Sequence, residues 1–148
     1  MLQQQHPEYP HRDQNGILLT DSFHEPLPAG MRSSHESSRL LTYRYKNKTI
    51  DLLMTPKMES GRVLLVGQVT GNDTRMGKDN DLLVLLTDGM KTVERTTTNQ
   101  FGEFQLEFEI MEDPGLQIRL REGSWVVIAL GKMDWARKQG PRPRAQTD

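Results

Sequence analysis

Apolar and polar residues alternate most regularly in residues 103–110. Phe104, Leu106, Phe108 and Ile110 are separated by a glutamate or a glutamine at every intervening position. Successive side chains of a β-strand point to opposite faces of the sheet. The stretch therefore predicts a strand with one dry face and one acidic face in water. This pattern explains the glutamates without giving them a catalytic role.

Similar short apolar runs recur about every ten residues, separated by turn-forming residues. Asn47 is expected to take a positive φ in a hairpin turn, Pro56 to end that hairpin, and Asp88-Gly89 to form another tight turn. Eight short strands without a convincing helix predict an all-β, immunoglobulin-like antiparallel sandwich of seven to eight strands. These predicted strands lie near 41–45, 50–52, 63–69, 82–86, 91–98, 103–110, 118–120 and 125–130.

The first part of the chain has a different composition, poor in apolar residues and rich in proline, glutamine and serine. Such a segment cannot bury enough apolar surface to offset the entropy lost on ordering. The sequence therefore predicts a disordered N-terminal tail over residues 1–38 and a sandwich domain over 39–135. Residues 136–148 are predicted to be a disordered basic C-terminal tail.

One apolar patch interrupts the predicted N-terminal tail. It is either a short motif that docks on a partner or on the chain's own domain, or a chance cluster in a linker. The candidate partner-binding residues are Ile17, Leu18, Leu19, Phe23 and Leu27.

The chain has 148 residues, no cysteine and a net charge of −1. The lack of cysteine excludes disulfides, thiolate zinc sites and cysteine nucleophiles. The lack of cysteine and the absence of a visible signal peptide together favour a cytoplasmic location. No apolar stretch approaches the ~20 residues of a membrane span. The near-neutral body gives no broad attraction for nucleic acid.

Residues that could carry chemistry are few. The histidines lie in the predicted tail, without the spacing of a helical zinc pair and away from any nucleophile on the body. The oxygen donors between 72 and 81 lack the spacing of an EF-hand, so a solvated loop is favoured over a weak calcium site. We therefore expect no enzymatic activity, no metal and no cofactor. The histidines are His6, His11, His24 and His35.

Residues 66–108 resemble the carboxypeptidase regulatory-like family. The family's G-x-V strand corresponds to Gly67-Gln68-Val69, its D-G turn to Asp88-Gly89, and its threonine-rich strand followed by G-x-F to 96–104. Asn99 is suited to start the turn in this last motif, and Gly102 to close it with a positive φ. The resemblance implies a prealbumin-like sandwich of seven strands that serves as a non-catalytic accessory domain.

The match has two departures. Residues 78–81 replace the family's P-L-x-G-A step, and its later P-x-G-x-Y piece is reduced to 114–116. A closer resemblance, carried by residues 39–43, 50–52 and 62–69, is to bacterial sandwich proteins that accompany sigma-factor and anti-sigma genes. It implies no enzymatic activity and a setting in a cytoplasmic regulatory or envelope-stress operon.

Together these observations predict a non-catalytic module that binds a protein partner. The alternative is a carbohydrate-binding sandwich, because such modules stack sugars on exposed aromatic rings. The rings available for stacking are Trp135, Tyr43 and Tyr45. The two tyrosines share one alternating face, however, and are expected in the core.

Overall fold

The computed structural model describes residues 15–23, 38–71 and 79–137. In these ranges the chain forms two antiparallel sheets, which confirms the predicted all-β sandwich. The described part has nine strands, where seven to eight were predicted, and one short helix. The elements are β1 (Ile17–Asp21), β2 (Arg39–Tyr45), β3 (Lys48–Lys57), β4 (Arg62–Gly71), β5 (Leu83–Asp88), β6 (Lys91–Thr97), β7 (Glu103–Glu109), β8 (Pro114–Arg119), β9 (Trp125–Ala129) and α1 (Asp134–Arg137).

The strand order is β1-β2-β3-β4-β7 in the five-stranded sheet and β6-β5-β8-β9 in the other. All the strands except β1 and β6 bury alternate side chains, most of them apolar, and the two inner faces form one hydrophobic core. Glu103, Gln105 and Glu109 of β7 are exposed while Phe104 and Phe108 are buried, as the alternation predicts. The sandwich is therefore held mainly by apolar burial between the sheets.

The first hairpin differs from the prediction in two details. β2 and β3 pair from Arg39↔Met54 to Tyr45↔Lys48, so the turn consists of two residues. Lys46, and not Asn47, takes the positive φ, at 58°. β3 also continues through Pro56, which lies near the end of the strand.

The structure differs from the predicted domain boundaries at both ends of the sandwich. Residues 17–21, placed in the disordered tail by the sequence, form β1 on the edge of β2. Just before β1, the backbone N–H of Gly16 donates to the Val127 carbonyl of β9 at 2.8 Å, so this segment joins both sheets. At the other end α1 extends beyond residue 135, and Ala136 is buried. Residues 1–14, 24–37 and 138–148 of the predicted tails lie outside the described ranges.

The physical reason for the missed strand is its pattern of burial. Four of the five side chains of β1 are exposed, and only Asp21 is buried. β1 pairs with β2 through backbone groups, which any residue can supply. Because the strand buries no apolar face, its sequence does not need to alternate between apolar and polar residues. The periodicity that identifies the other strands is therefore absent from β1.

β7 is joined to β4 by two close approaches at glycines. A Cβ atom on Gly67 would lie 2.2 Å from the ring of Phe104, and a Cβ on Gly102 would lie 2.3 Å from the Val69 carbonyl oxygen. Gly102 has a φ of 77°, and the Asn99 side-chain oxygen accepts the backbone N–H groups of residues 101 and 103. The predicted turn chemistry of Asn99 and Gly102 is confirmed.

Gly102→Val should therefore destabilise the sandwich strongly. The added side chain meets a backbone oxygen and also strains a left-handed φ, so we expect a loss of about 2–4 kcal/mol in the free energy of unfolding. Gly61→Val is the matched control, because Gly61 has a similar φ of 72° with nothing within 4 Å of its Cβ position. It should lose only about 1–2 kcal/mol, from backbone strain alone. Equal losses in urea unfolding would contradict the close approach at Gly102.

Candidate functional site

β1 presents an exposed apolar surface at the edge of the five-stranded sheet. Ile17, Leu18 and Leu19 are 64%, 46% and 48% exposed. The register with β2 shifts between Leu18 and Thr20, which places a bulge at Leu19. Ile17 and Leu18 precede the shift and pair regularly with Arg44 and Tyr43, so their exposure follows from the position of β1 at the edge of the sheet. Leu27, the last residue of the predicted motif, lies outside the described ranges.

An ion pair anchors the carboxyl end of β1. Arg39 donates from Nε to Asp21 Oδ1 at 3.0 Å and from Nη2 to Asp21 Oδ2 at 2.6 Å. Asp21 is only 4% exposed, and its Oδ1 also accepts the backbone N–H of Phe23 at 3.1 Å. A bidentate, charge-assisted pair of this kind fixes geometry as well as adding stability.

Phe23 packs on the chain's own domain. Its ring meets the Trp135 ring edge to face, with centroids 5.3 Å apart, and the Arg39 guanidinium lies 4.8 Å from the Phe23 centroid. The same guanidinium is 5.8 Å from the Trp135 ring. Phe23 is 43% exposed, close to the value for Leu18, but its ring contacts with Trp135 and Arg39 help to hold β1 in place.

A carbohydrate-stacking site needs exposed ring faces. The rings of Tyr43, Tyr45 and Trp135 do not provide them. Tyr43 and Tyr45 are buried in the core, as their alternation predicts. Burial raises the pKa of Tyr43, an effect that Arg39 partly offsets and that Asp21 reinforces. Trp135 is half-buried against Phe23 and the core.

The outer face of the five-stranded sheet carries an apolar row that the sequence did not reveal. Leu40 pairs with Leu53, Leu53 with Val66, and Val66 with Gln105. The three apolar side chains are 47%, 40% and 38% exposed. They line a surface groove of about 580 Å³. In the sequence, a sign of this row is that residues 63–66 are apolar at consecutive positions, so the strand predicted there has apolar residues on both faces.

The polar rim of this groove is held by hydrogen bonds. Asp51 Oδ1 accepts the Thr42 hydroxyl at 2.7 Å, and the Asn99 side-chain amide donates to Glu103 Oε1 at 3.1 Å. Gln68 Nε2 donates to the Phe101 carbonyl at 3.1 Å. The rim is therefore ordered, and its two ionisable side chains, Asp51 and Glu103, are both acids.

The described ranges contain no group of three or more histidine, cysteine, aspartate or glutamate side chains that could hold a metal ion. The four histidines and residues 72–78, which include part of the oxygen-donor loop between 72 and 81, lie outside those ranges. Asp79, at the end of that loop, is paired with Lys48 Nζ at 2.7 Å. Glu107 is paired with Arg62 at 3.2 Å and with Lys57 at 3.3 Å.

Within the described residues, no helix is long and apolar enough to cross a membrane.

No family model, curated protein or solved structure matches this chain.

The anchor of β1 can be tested with Asp21→Asn. The substitution leaves the Arg39 guanidinium partly buried without its carboxylate, at an expected cost of about 2–4 kcal/mol. We expect hydrogen exchange of the β1 amides to become roughly 30-fold faster or more, while β3 and β4 keep their protection. Glu122→Gln is the control, because Glu122 and Lys46 form an exposed pair at 3.8 Å that should contribute little. Unchanged exchange in β1 would show that the ion pair does not anchor the strand.

Proposed function

We propose that this chain is a non-catalytic protein-interaction module that binds an extended segment of its partner along β1. The observation that carries the proposal is the run of three exposed apolar side chains, Ile17 to Leu19, on the strand at the end of the five-stranded sheet. A strand at a sheet edge can pair with an added strand through its backbone N–H and C=O groups.

The two kinds of contact would have separate roles. Backbone hydrogen bonds to an added strand supply affinity without reading sequence, whereas side-chain contacts supply specificity. Exposed Ile17 and Leu18 lie next to that edge, where apolar side chains of a partner could cover them. The Asp21–Arg39 pair and the Phe23–Trp135 contact hold β1 in a fixed position, which reduces the ordering entropy that binding has to offset.

The proposed setting follows the family resemblance. A cytoplasmic, sigma-factor-linked regulatory system in a bacterium would supply a protein partner, with no cofactor, nucleic acid or membrane span involved. The carbohydrate-binding alternative is less favoured, because Tyr43 and Tyr45 are buried and Trp135 packs on Phe23.

The double variant Ile17→Asp/Leu19→Asp tests the site. Each apolar anchor that is buried on binding is worth roughly 1.5–3 kcal/mol, so loss of both should raise Kd by about 100-fold or more. Because both side chains are exposed in the free chain, the melting temperature should stay close to that of the wild type. Met90→Asp is the matched control, since Met90 is an exposed apolar residue in the distant β5–β6 turn.

The measurement combines capture with photo-cross-linking. The full chain carries a photoreactive amino acid at position 18 or, as the control, at position 90. It is immobilised, incubated with an extract of the organism that encodes it, and irradiated. We expect a protein adduct at position 18 that disappears in the double variant. Identical adducts at both positions, or equal capture by the double variant, would contradict binding at β1.

A further inference from the structure

The groove on the outer sheet face is a second surface, separate from β1. Its floor is the row of Leu40, Leu53 and Val66, which lie directly opposite one another on β2, β3 and β4. Neighbouring strands are about 4.8 Å apart, so the row from Leu40 to Gln105 spans roughly 14 Å. A contiguous apolar surface of this kind on a soluble domain marks an interaction site more often than isolated apolar residues do.

Charge defines what this groove would accept. Asp51 and Glu103 are the ionisable side chains that line it, and both are acidic. Three basic residues lie on the same outer face outside the groove lining. Lys57 and Arg62 are paired with Glu107, and Arg44 lies opposite Thr49, on the side of Asp51 away from Leu53. The groove therefore offers an apolar floor with a negative rim, and electrostatic complementarity requires positive charge on the segment that fills it.

We propose that this groove binds a protein segment in which leucine-like apolar residues are flanked by lysine or arginine. The apolar side chains would cover Leu40, Leu53 and Val66, and the cations would meet the carboxylates of Asp51 and Glu103. This surface does not depend on strand addition at β1, so either contact can exist without the other.

A second copy of the chain fits this surface less well. Pairing two copies through the same face would bring Asp51 and Glu103 of both chains into one interface, where like charges repel. A stable dimer also buries about 1,200–2,000 Å² in total, and three half-exposed side chains supply only a small part of that area. The proposed occupant is therefore a basic and apolar segment of another protein.

The test is selection from a display library of random 12-residue peptides on the full-length chain, followed by fluorescence anisotropy with the selected peptides. We expect enriched peptides with at least two apolar residues and a net positive charge. Leu53→Asn/Val66→Asn should weaken their binding by tenfold or more. Asp51→Asn/Glu103→Gln should weaken it by threefold or more and reduce its dependence on salt. In both double variants the new side chains are close in size to the original ones. The melting temperature of each variant shows whether it is folded.

Controls separate this surface from β1. Ile17→Asp/Leu19→Asp and Met90→Asp should leave the affinity of the selected peptides unchanged. The proposal is overturned if no peptide is enriched, if the enriched peptides are acidic or uncharged, or if a folded groove variant binds them as tightly as the wild type. A concentration-dependent dimer that is lost in Leu53→Asn/Val66→Asn would also overturn it, because the face would then be an interface between copies of this chain.

Discussion

The contact between Gly67 and Phe104 is the constraint on which the pairing of β7 with the rest of the five-stranded sheet depends. β7 follows β6 of the other sheet and must cross the sandwich to pair with β4. The missing side chain at Gly67 leaves room for the Phe104 ring, and the missing side chain at Gly102 lets the Val69 carbonyl approach. These contacts fix the register of β7 on β4. That register places Gln105 opposite Val66 and so closes the end of the outer groove.

Much of this architecture follows from local sequence signals. The alternation over 103–110, the Asp88-Gly89 turn and the role of Asn99 are all short-range features, and the structure has each of them. β1 has no such signal, because its pairing with β2 and its ion pair with Arg39 both depend on residues that lie far along the chain. Lys46 likewise takes the left-handed conformation at the hairpin although Asn47 is the better residue for it by propensity.

The candidate surfaces were less predictable than the fold. Ile17, Leu18 and Leu19 could be identified as an apolar cluster, but whether they dock on their own domain depends on the bulge at Leu19 and on the anchors beside it. The row of Leu40, Leu53 and Val66 exists only when three strands are paired in one register. A shift of one residue in any of these pairings would turn the corresponding side chain to the opposite face.

An exposed apolar edge strand is a hazard for a folded protein, because it can pair with any other exposed strand. In this chain β1 has only five residues and contains a bulge, and both features limit indiscriminate pairing. Gly16 holds the amino end of β1 to β9, and Asp21 holds its carboxyl end to Arg39. The bulged middle therefore depends on β2 alone. Since the middle is also where the apolar side chains are exposed, a partner strand would stabilise β1 where its own fold supports it least.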